Sequence, residues 1–562
     1  MSNVILETKQ KFSELLERAV QAAIERDEIK EAPIPDFTVT VPLNPSHGDL
    51  STNIAMVSAR AFSQSPRKIA ELICANLELS DSFFERVEIA GAGFINVFLS
   101  AGFYSAVVSE IIEQGENFGR TDYYGGKKVM VEFVSANPTG PMHIGNSRGG
   151  ALGDCLAEVL RFAGCDVTRE FYVNDAGNQI EKFAASLSAR YMQLCLGEEA
   201  YEFPADGYPG EDIKAHAKAF FDINGDSLVN DDEEVRKHAL VKYALPINID
   251  AMKAGMAAYR IFYDVWFYES TLHKGGEVEK IIAKLREKGA IYEKDGATWY
   301  NATEYGAEKD EVLVRANGLP TYFAVDIAYH YNKFEERGFE KVINVWGADH
   351  YGHVARLKGA VKALGLDETR LDIVITQMVR LMQDGEVVRI GKRKGQVITL
   401  STLLDEVPLD AARFFFNLRE ANTHLDFDMS LAVEKSSENP VYYVQYAHAR
   451  ICSIIENMAK ENVAAPGADR EIIFTRAEEK ELISHLAELP NEIILAAKSY
   501  DPSMITKYAI AVATRFHKFY NSCRVKGEAE DVMLSRLALC AATRTVLRNV
   551  LAILKVSAPE SM

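Results

Sequence analysis

Cysteine is sparse and scattered. Seven residues, at 74, 155, 165, 195, 452, 523 and 540, include no C-x-x-C pair and no His/Cys cluster. Neither a disulfide framework nor a structural zinc site is therefore indicated. Positive charge is in deficit: 62 Lys and Arg stand against 81 Asp and Glu, a net charge of −19. An indiscriminate nucleic-acid binder draws most of its affinity from a basic surface, so that class is excluded, and any RNA partner must be met by local basic patches. No uninterrupted apolar run reaches membrane length, and no secretory pattern or polybasic tail is visible. No membrane association is expected, and the reducing cytoplasm is the expected compartment. What is present is ordinary for a soluble protein with a large core: 48% hydrophobic and 25% charged residues in a chain of 562. That length suggests roughly three or four domains.

The chain is organised around residues 128–164. Val129, Met130, Val131, Phe133 and Val134 form a nearly continuous apolar run, as in a parallel strand buried on both faces. Asn137-Pro138-Thr139-Gly140-Pro141 breaks it. After His143-Ile144-Gly145-Asn146 the pattern turns helical, with Leu152, Cys155, Leu156, Val159 and Leu160 on one face and Gly164 at the expected C-terminus. A strand, a turn and a helix start make an anion site, because free backbone N–H groups and the helix dipole converge there. Gly145, Gly149 and Gly153 are expected to leave the helix start bare for a flat ring, with His143 and Asn146 as side-chain donors. The alternative is a tight turn whose histidine only caps the helix.

A second stretch bears on that choice. Residues 389–396 read RIGKRKGQ, a cationic, glycine-containing loop that follows the apolar run Ile373-Val374-Ile375. Fixed cations near a helix N-terminus suit a polyphosphate whose bridging oxygen gains charge. Together the two stretches resemble the HIGH and KMSKS motifs of class I aminoacyl-tRNA synthetases. The longer phrases NPTGPMHIGN, GLPTYFAVDIAYH, VWGADHYGH and NPVYYVQYAHAR resemble the arginyl-tRNA synthetase family, in that family's order, from about His47 to the C-terminus. Two departures stand out. Asn146 occupies the place of the last His, and the loop has Arg389 at the first Lys and Gly391 at the Ser, while Lys392 keeps the second Lys.

The expected fold is α/β: a Rossmann-type parallel-sheet catalytic domain with a helical insertion over 121–400, an N-terminal small α+β domain over 1–120, a connecting segment over 401–438 and a C-terminal all-helical bundle over 439–562. In the first domain, Phe12, Leu15, Leu16 and Ala19 predict an amphipathic helix, 38–41 a strand, 53–62 and 67–77 helices, and 87–90 and 94–99 strands. The resemblance implies a module that grips the tRNA elbow, with Phe94, Asn96 and Phe98 at the positions that read a D-loop base. An aromatic face with an amide suits an unstacked base; core packing of the two phenylalanines is the alternative. Residues 181–300 are expected to be mostly helical. Within them Asp222, Asn224, Asp226 and Glu233 echo a calcium loop, but Ser227 stands where the turn requires Gly, so an acidic surface loop is expected. Near Asn439-Pro440, a good N-cap and first-turn pair, a helical bundle begins, interrupted at most by a strand-like run over 471–474. His448 lies on its apolar stripe as a core residue. The resemblance places Tyr446, Tyr520 and Met562 at the anticodon loop, with ordinary packing as the alternative for both tyrosines.

The chemistry implied is ATP-dependent activation of L-arginine and transfer to tRNA(Arg), with Mg2+ arriving on ATP and no permanent cofactor or metal. His143, Gly145 and Asn146 are expected at the phosphates, and Lys392, with Arg389 and Arg393, over the β,γ-phosphates. Gly347 and Asp349 are expected at the ribose and His353 elsewhere on ATP. A planar, permanently charged guanidinium calls for buried acceptors. Glu132 and Asp326 adjoin the sheet's active edge and supply them. By resemblance Asn137 and Tyr322 complete the arginine site. A monomer is expected. Two rivals remain at this point: a tRNA-binding protein that lost the chemistry, suggested by the departures at Asn146, Arg389 and Gly391, and a ligase for another cationic amino acid, less suited to two carboxylates.

Overall fold

The computed structural model describes residues 3–562 apart from 43, 45, 46, 389–398 and 471. The chain divides into two compact units, one of residues 1–123, 435–499 and 504–562 and the other of 124–434 and 500–503.

In the first unit four short antiparallel strands, β1 (Val39–Thr40), β2 (Leu50–Thr52), β3 (Phe84–Ala90) and β4 (Phe94–Leu99), lie in the order β1-β2-β4-β3. Ile95, Val97 and Leu99 of β4 face the core, which also takes Phe12, Leu16, Ile69 and Ile73 from the helices Val4–Glu25 and Pro66–Asn76. The C-terminal helices join the same unit. Asn439 opens the helix Pro440–Lys460, its Oδ1 accepting from the Val441 N–H at 3.2 Å. Asn549, on the helix Glu530–Ile553, donates to the carbonyls of Gly115 at 2.9 Å and Phe118 at 3.0 Å, and Lys9 pairs with Glu488 at 2.7 Å. The small module and the bundle, distant in sequence, thus share hydrogen bonds. Residues 472–474 form no strand, although Ile472 and Phe474 are buried. Their alternation records a chain laid against the bundle and not a sheet edge.

The second unit is built on a five-stranded parallel sheet of β5 (Lys128–Phe133), β6 (Asp166–Val173), β7 (Val265–Tyr268), β11 (Lys341–Gly347) and β12 (Leu371–Thr376), in the order β12-β11-β5-β6-β7. β5 is central and buried from Val129 to Phe133. The chain adds β6 and β7 on one side of it and later β11 and β12 on the other, so the crevice where ligands enter such sheets lies at its C-terminal end. Gly153 of the helix Ile144–Phe162 lets that helix press on β5: a Cβ there would stand 2.3 Å from Phe133 Cγ. Beneath the helix, Asp154 is held by Arg413 at 2.5 Å and Arg169 at 3.0 Å, all three buried.

The insertion is less helical than its sequence suggests. The helices Gly177–Leu196, Glu211–Asn224 and Glu233–Ala258 enclose their own core around Phe183, Tyr191 and Leu240. Beyond them come β7 and an antiparallel sheet of β8 (Ile291–Lys294), β9 (Ala297–Tyr300) and β10 (Glu311–Val314). These strands are four residues each, too short to display a period. The acidic run 222–233 begins inside a helix, where Asp222 pairs with Lys218. The segment 401–438 is folded: helices Leu400–Glu406 and Leu409–Phe416 precede β15 (Leu425–Asp428), which runs parallel to β13 (Val379–Gln383), itself antiparallel to β14 (Glu386–Val387). Among the described residues no helix is long and apolar enough to cross a membrane.

One carboxylate makes the first unit sensitive to pH. Glu110 accepts from the Val4 N–H at 3.1 Å and from Gln114 at 3.0 Å. Burial, outweighing those bonds, pushes its carboxyl up to about 7. The folded unit therefore holds this proton through a range where the unfolded chain releases it. The associated stability is present below the ordinary glutamate range and lost as pH rises through 7. Glu110→Gln keeps an acceptor without the titration. Its unfolding midpoint should gain on the wild type as pH is raised from 5 to 8, by about 1–3 kcal/mol across that interval, measured by denaturant melts at each pH. A constant gap would show that Glu110 does not titrate there.

Candidate active site

The exit of β5 is strained. Val134 and Ser135 have φ of 71° and 43°, a left-handed conformation that β-branched residues avoid and that persists where surroundings over-determine it. Ser135 explains the turn: its Oγ donates to Glu132 Oε1 at 2.8 Å and accepts from the Tyr172 N–H at 3.2 Å. Asn137 follows, exposed, and the Pro138 carbonyl accepts from Asn248 at 3.0 Å.

The helix start then forms a reciprocal cap. His143 Nδ1 accepts from the Gly145 N–H at 3.1 Å, and Asn146 Oδ1 accepts from the His143 N–H at 3.2 Å. Since Nδ1 accepts, the ring proton sits on Nε2, available to an incoming anion. Desolvation lowers the His143 pKa below the usual imidazole range, in keeping with that neutral form. Gly145 is needed because a Cβ would meet the His143 ring at 2.8 Å. Beside Gly149 there is open space, whereas Gly153 serves helix packing and leaves no room for a ring.

Arg389, Gly391, Lys392 and Arg393 of the cationic loop lie outside the described residues. Just past them Thr399 bridges to His143, with the Leu400 N–H donating to the Met142 carbonyl at 2.9 Å. A cavity of about 610 Å3, lined by Ile144, Met378, Val379, Leu381 and Val388 among others, opens beside the same helix start. At the end of β11, Gly347 leads into the turn Ala348–His353, where Asp349 is exposed and a Cβ on Gly347 would touch its Oδ1.

The carboxylates expected for arginine are joined by residues that sequence reasoning missed. Glu132 Oε2 meets the fully buried Lys333 Nζ at 2.5 Å. Lys333 also donates to Asn344 Oδ1 at 3.2 Å. Because a lysine can only donate, Asn344 must turn its Nδ2 to His330 Nε2, at 2.8 Å. His330 Nδ1 therefore carries the proton and faces Asp326, 2.8 Å from its carbonyl and 3.1 Å from Oδ1. Asp326 Oδ2 lies 2.6 Å from His353 Nε2, so His353, expected at ATP, contacts a carboxylate expected at arginine. Burial opposes ionisation of Asp326, but the interactions with His330 and His353 outweigh it and hold its carboxyl well below the usual range. Tyr322 is exposed at the start of the helix Tyr322–Tyr331, its ring 3.2 Å from where a Cβ on Gly177 would stand. The available sequence signal was Asn344, a lone amide in an apolar strand, and the i,i+4 pair Asp326 and His330.

In the first unit, Phe94, Asn96 and Phe98 share the outer face of β4 but differ in access. Phe94 is 41% exposed, so it is not a core residue. Asn96, expected at a base-reading position, is only 3% exposed, and its Oδ1 accepts from Ser51 Oγ at 2.7 Å. The Arg86 guanidinium covers Phe98 at 3.4 Å from the ring centroid. In the bundle, Arg450 lies between Tyr446 and Tyr520, 4.7 and 5.0 Å from their rings, and donates to the Tyr446 hydroxyl at 2.6 Å. The tail ending at the exposed Met562 is tied to that helix by Gln445 to the Ser557 carbonyl at 2.9 Å and by the buried His448 to the Pro559 carbonyl at 2.8 Å.

Three family profiles match successive stretches: the arginyl tRNA synthetase N terminal domain over residues 9–99, the class I tRNA synthetase (R) catalytic domain over 107–455 and the DALR anticodon binding domain over 444–562. The chain belongs to the arginyl-tRNA synthetase family. It is 51% identical over 564 residues to the arginine–tRNA ligase of Acetivibrio thermocellus and 53% identical over 564 residues to that of Caldanaerobacter subterraneus subsp. tengcongensis, covering 100% of both chains in each case. Its fold is similar to Thermus thermophilus arginyl-tRNA synthetase, with a TM-score of 0.76 at 22% identity over 99% of this chain and 100% of that one.

The cap gives the family departure at Asn146 a testable role. Asn146→Ala removes one of the two reciprocal bonds and should cost about 1 kcal/mol of stability while raising the KM for ATP. Asn146→Asp, which keeps the acceptor but not the amide donor, should recover the stability and not the KM. Recovery of both would mean that Asn146 acts on the helix alone.

Proposed function

We propose that the protein attaches L-arginine to tRNA(Arg) as a monomer in the cytoplasm. In the first step an arginine carboxylate oxygen attacks the α-phosphorus of ATP. The bond to pyrophosphate breaks and arginyl-adenylate forms. In the second, the terminal adenosine 2′-OH attacks the acyl carbon and loses its proton, and AMP departs. Little covalent work falls to the protein, which positions the reactants and stabilises charge on the phosphoryl group. His143 Nε2–H and the Asn146 amide meet the phosphates at the helix start. Ile144 and Met378 offer an apolar wall for adenine, and Gly347 and Asp349 take the ribose. Mg2+ enters as the ATP complex.

Glu132 and Asp326 receive the guanidinium, Asn137 the α-amino group, and Tyr322 closes that end. The observation that carries the reading is the linked pair of carboxylates beside a capped helix start. An RNA-binding relic would need neither carboxylate, and Asn146, one of the three departures that favoured a relic, has a structural task. In the other unit, Phe94 stacks on an unpaired base and the Tyr446–Arg450–Tyr520 cluster meets the anticodon loop.

Charging of bulk tRNA with each labelled amino acid should attach arginine alone, and ATP–pyrophosphate exchange should require tRNA. Asp326→Ala should weaken arginine binding by about 2–5 kcal/mol, as loss of a buried charge-assisted partner does, and leave ATP affinity intact. Equal losses for both ligands in equilibrium binding would make Asp326 structural. Phe94→Ala is a clean probe of the tRNA elbow because it opens no core cavity. It should raise the KM for tRNA by the equivalent of about 1–3 kcal/mol of stacking and leave the KM values for ATP and arginine unchanged. An unaltered tRNA KM would remove Phe94 from the interface.

A further inference from the structure

The segment after the helix Tyr322–Tyr331 is a π turn, Asn332–Glu336, and it carries Lys333. Such turns are rare and cluster at functional sites. Here the turn delivers an ammonium with no solvent exposure into a cage of three partners: the Glu132 carboxylate at 2.5 Å, the Asn344 amide oxygen at 3.2 Å and the face of Tyr329, 4.0 Å from its centroid. All three are buried, and the ammonium is enclosed by them on every side named. A buried lysine costs several kcal/mol unless it is paired, and its retention calls for a task.

We propose that Lys333 is a positioning residue for arginine recognition: it keeps Glu132 charged and aimed, and through Asn344 and His330 it holds Asp326 in the same hydrogen-bonded frame. The chain of bonds runs from Ser135 at the strained exit of β5 through Glu132, Lys333, Asn344, His330 and Asp326 to His353. Both guanidinium acceptors thus hang on one cation that never meets the substrate. The inference rests on the reading of the site as an arginine site.

Other groups around Glu132 do not replace that cation. Glu170 is its neighbour across the sheet and is taken up by Arg337 and the Tyr329 hydroxyl. Tyr172 donates to Glu269, and Tyr263 to the Phe133 carbonyl. Asp326 adds a like charge, and its partners His330 and His353 face it and not Glu132. Without Lys333, burial no longer countered by a cation favours the neutral carboxyl, which loses its grip on a cationic ligand.

The test is the arginine KM of Lys333→Met in aminoacylation between pH 6 and 8.5, with wild type and Lys333→Arg alongside. The methionine variant should show an arginine KM raised about thirty-fold or more at the acid end, the loss that follows removal of one buried charged acceptor. That KM should fall back as pH rises and Glu132 ionises, with the ATP KM unchanged throughout. Lys333→Arg, which keeps the charge, should follow the wild-type pH profile. Should Lys333→Met not fold, Lys333→Gln keeps a polar contact without the charge and gives the same readout. An arginine KM that is unaltered, raised equally at every pH, or raised together with that of ATP would overturn the role of Lys333. If Asp326→Ala leaves arginine binding intact, the arginine reading of the site fails; if only the Lys333 profile is flat, that reading survives.

Discussion

Each of three carboxylates buried in the parallel-sheet unit is held by a cation from a different element: Glu132 by Lys333, Glu170 by Arg337 and Asp154 by Arg413 with Arg169. A desolvated carboxylate without such a partner is costly enough to prevent folding or to change its protonation. Register makes the demand sharper. Glu132 stands opposite Glu170 on one side and Asn344 on the other, and like charges directly opposite each other in a sheet repel. The segment carrying Lys333 and Arg337 can therefore dock on the sheet in one place only, and that docking brings Asp326, midway along the preceding helix, to the active edge. The ion pairs act here less as a source of stability than as a register key.

The parts of this arrangement set by local pattern were legible in the sequence. The apolar run of β5, the helical period after His143 and the Asn439-Pro440 start all appear where spacing and capping chemistry put them. Lys333 was not legible because its partner is 201 residues away along the chain. A lysine just past a helix reads as a solvated charge until the fold buries it. The strands β7 to β9 were missed because four residues cannot establish a period and their aromatic side chains suit either state. The short strand β2 was hidden likewise at the end of a turn-rich stretch.

On β4 the alternation of aromatic and amide residues was readable as one face, but its access was not. Phe94 is open, Asn96 is closed by Ser51 and Phe98 lies under Arg86. Both covers come from other strands, so no reading of β4 alone could supply them. Arg450 and Tyr446 were within reach of a sequence argument, being four residues apart on one helix, whereas Tyr520 joins them only through packing of the bundle.

The π turn that carries Lys333 also sets which kinds of change this segment can absorb. A π turn holds more residues per hydrogen-bonded turn than an α-helix does. Deleting one residue from the α-helical stretch between Asp326 and this turn would swing every following side chain by about 100°. Lys333 and Arg337 would then leave Glu132 and Glu170 together, though no residue of the site had been replaced. Chain length between Asp326 and Arg337 is thus constrained more severely than most identities inside it. Among variants of this protein, a single-residue insertion or deletion here should be rarer than substitution at the neighbouring exposed positions.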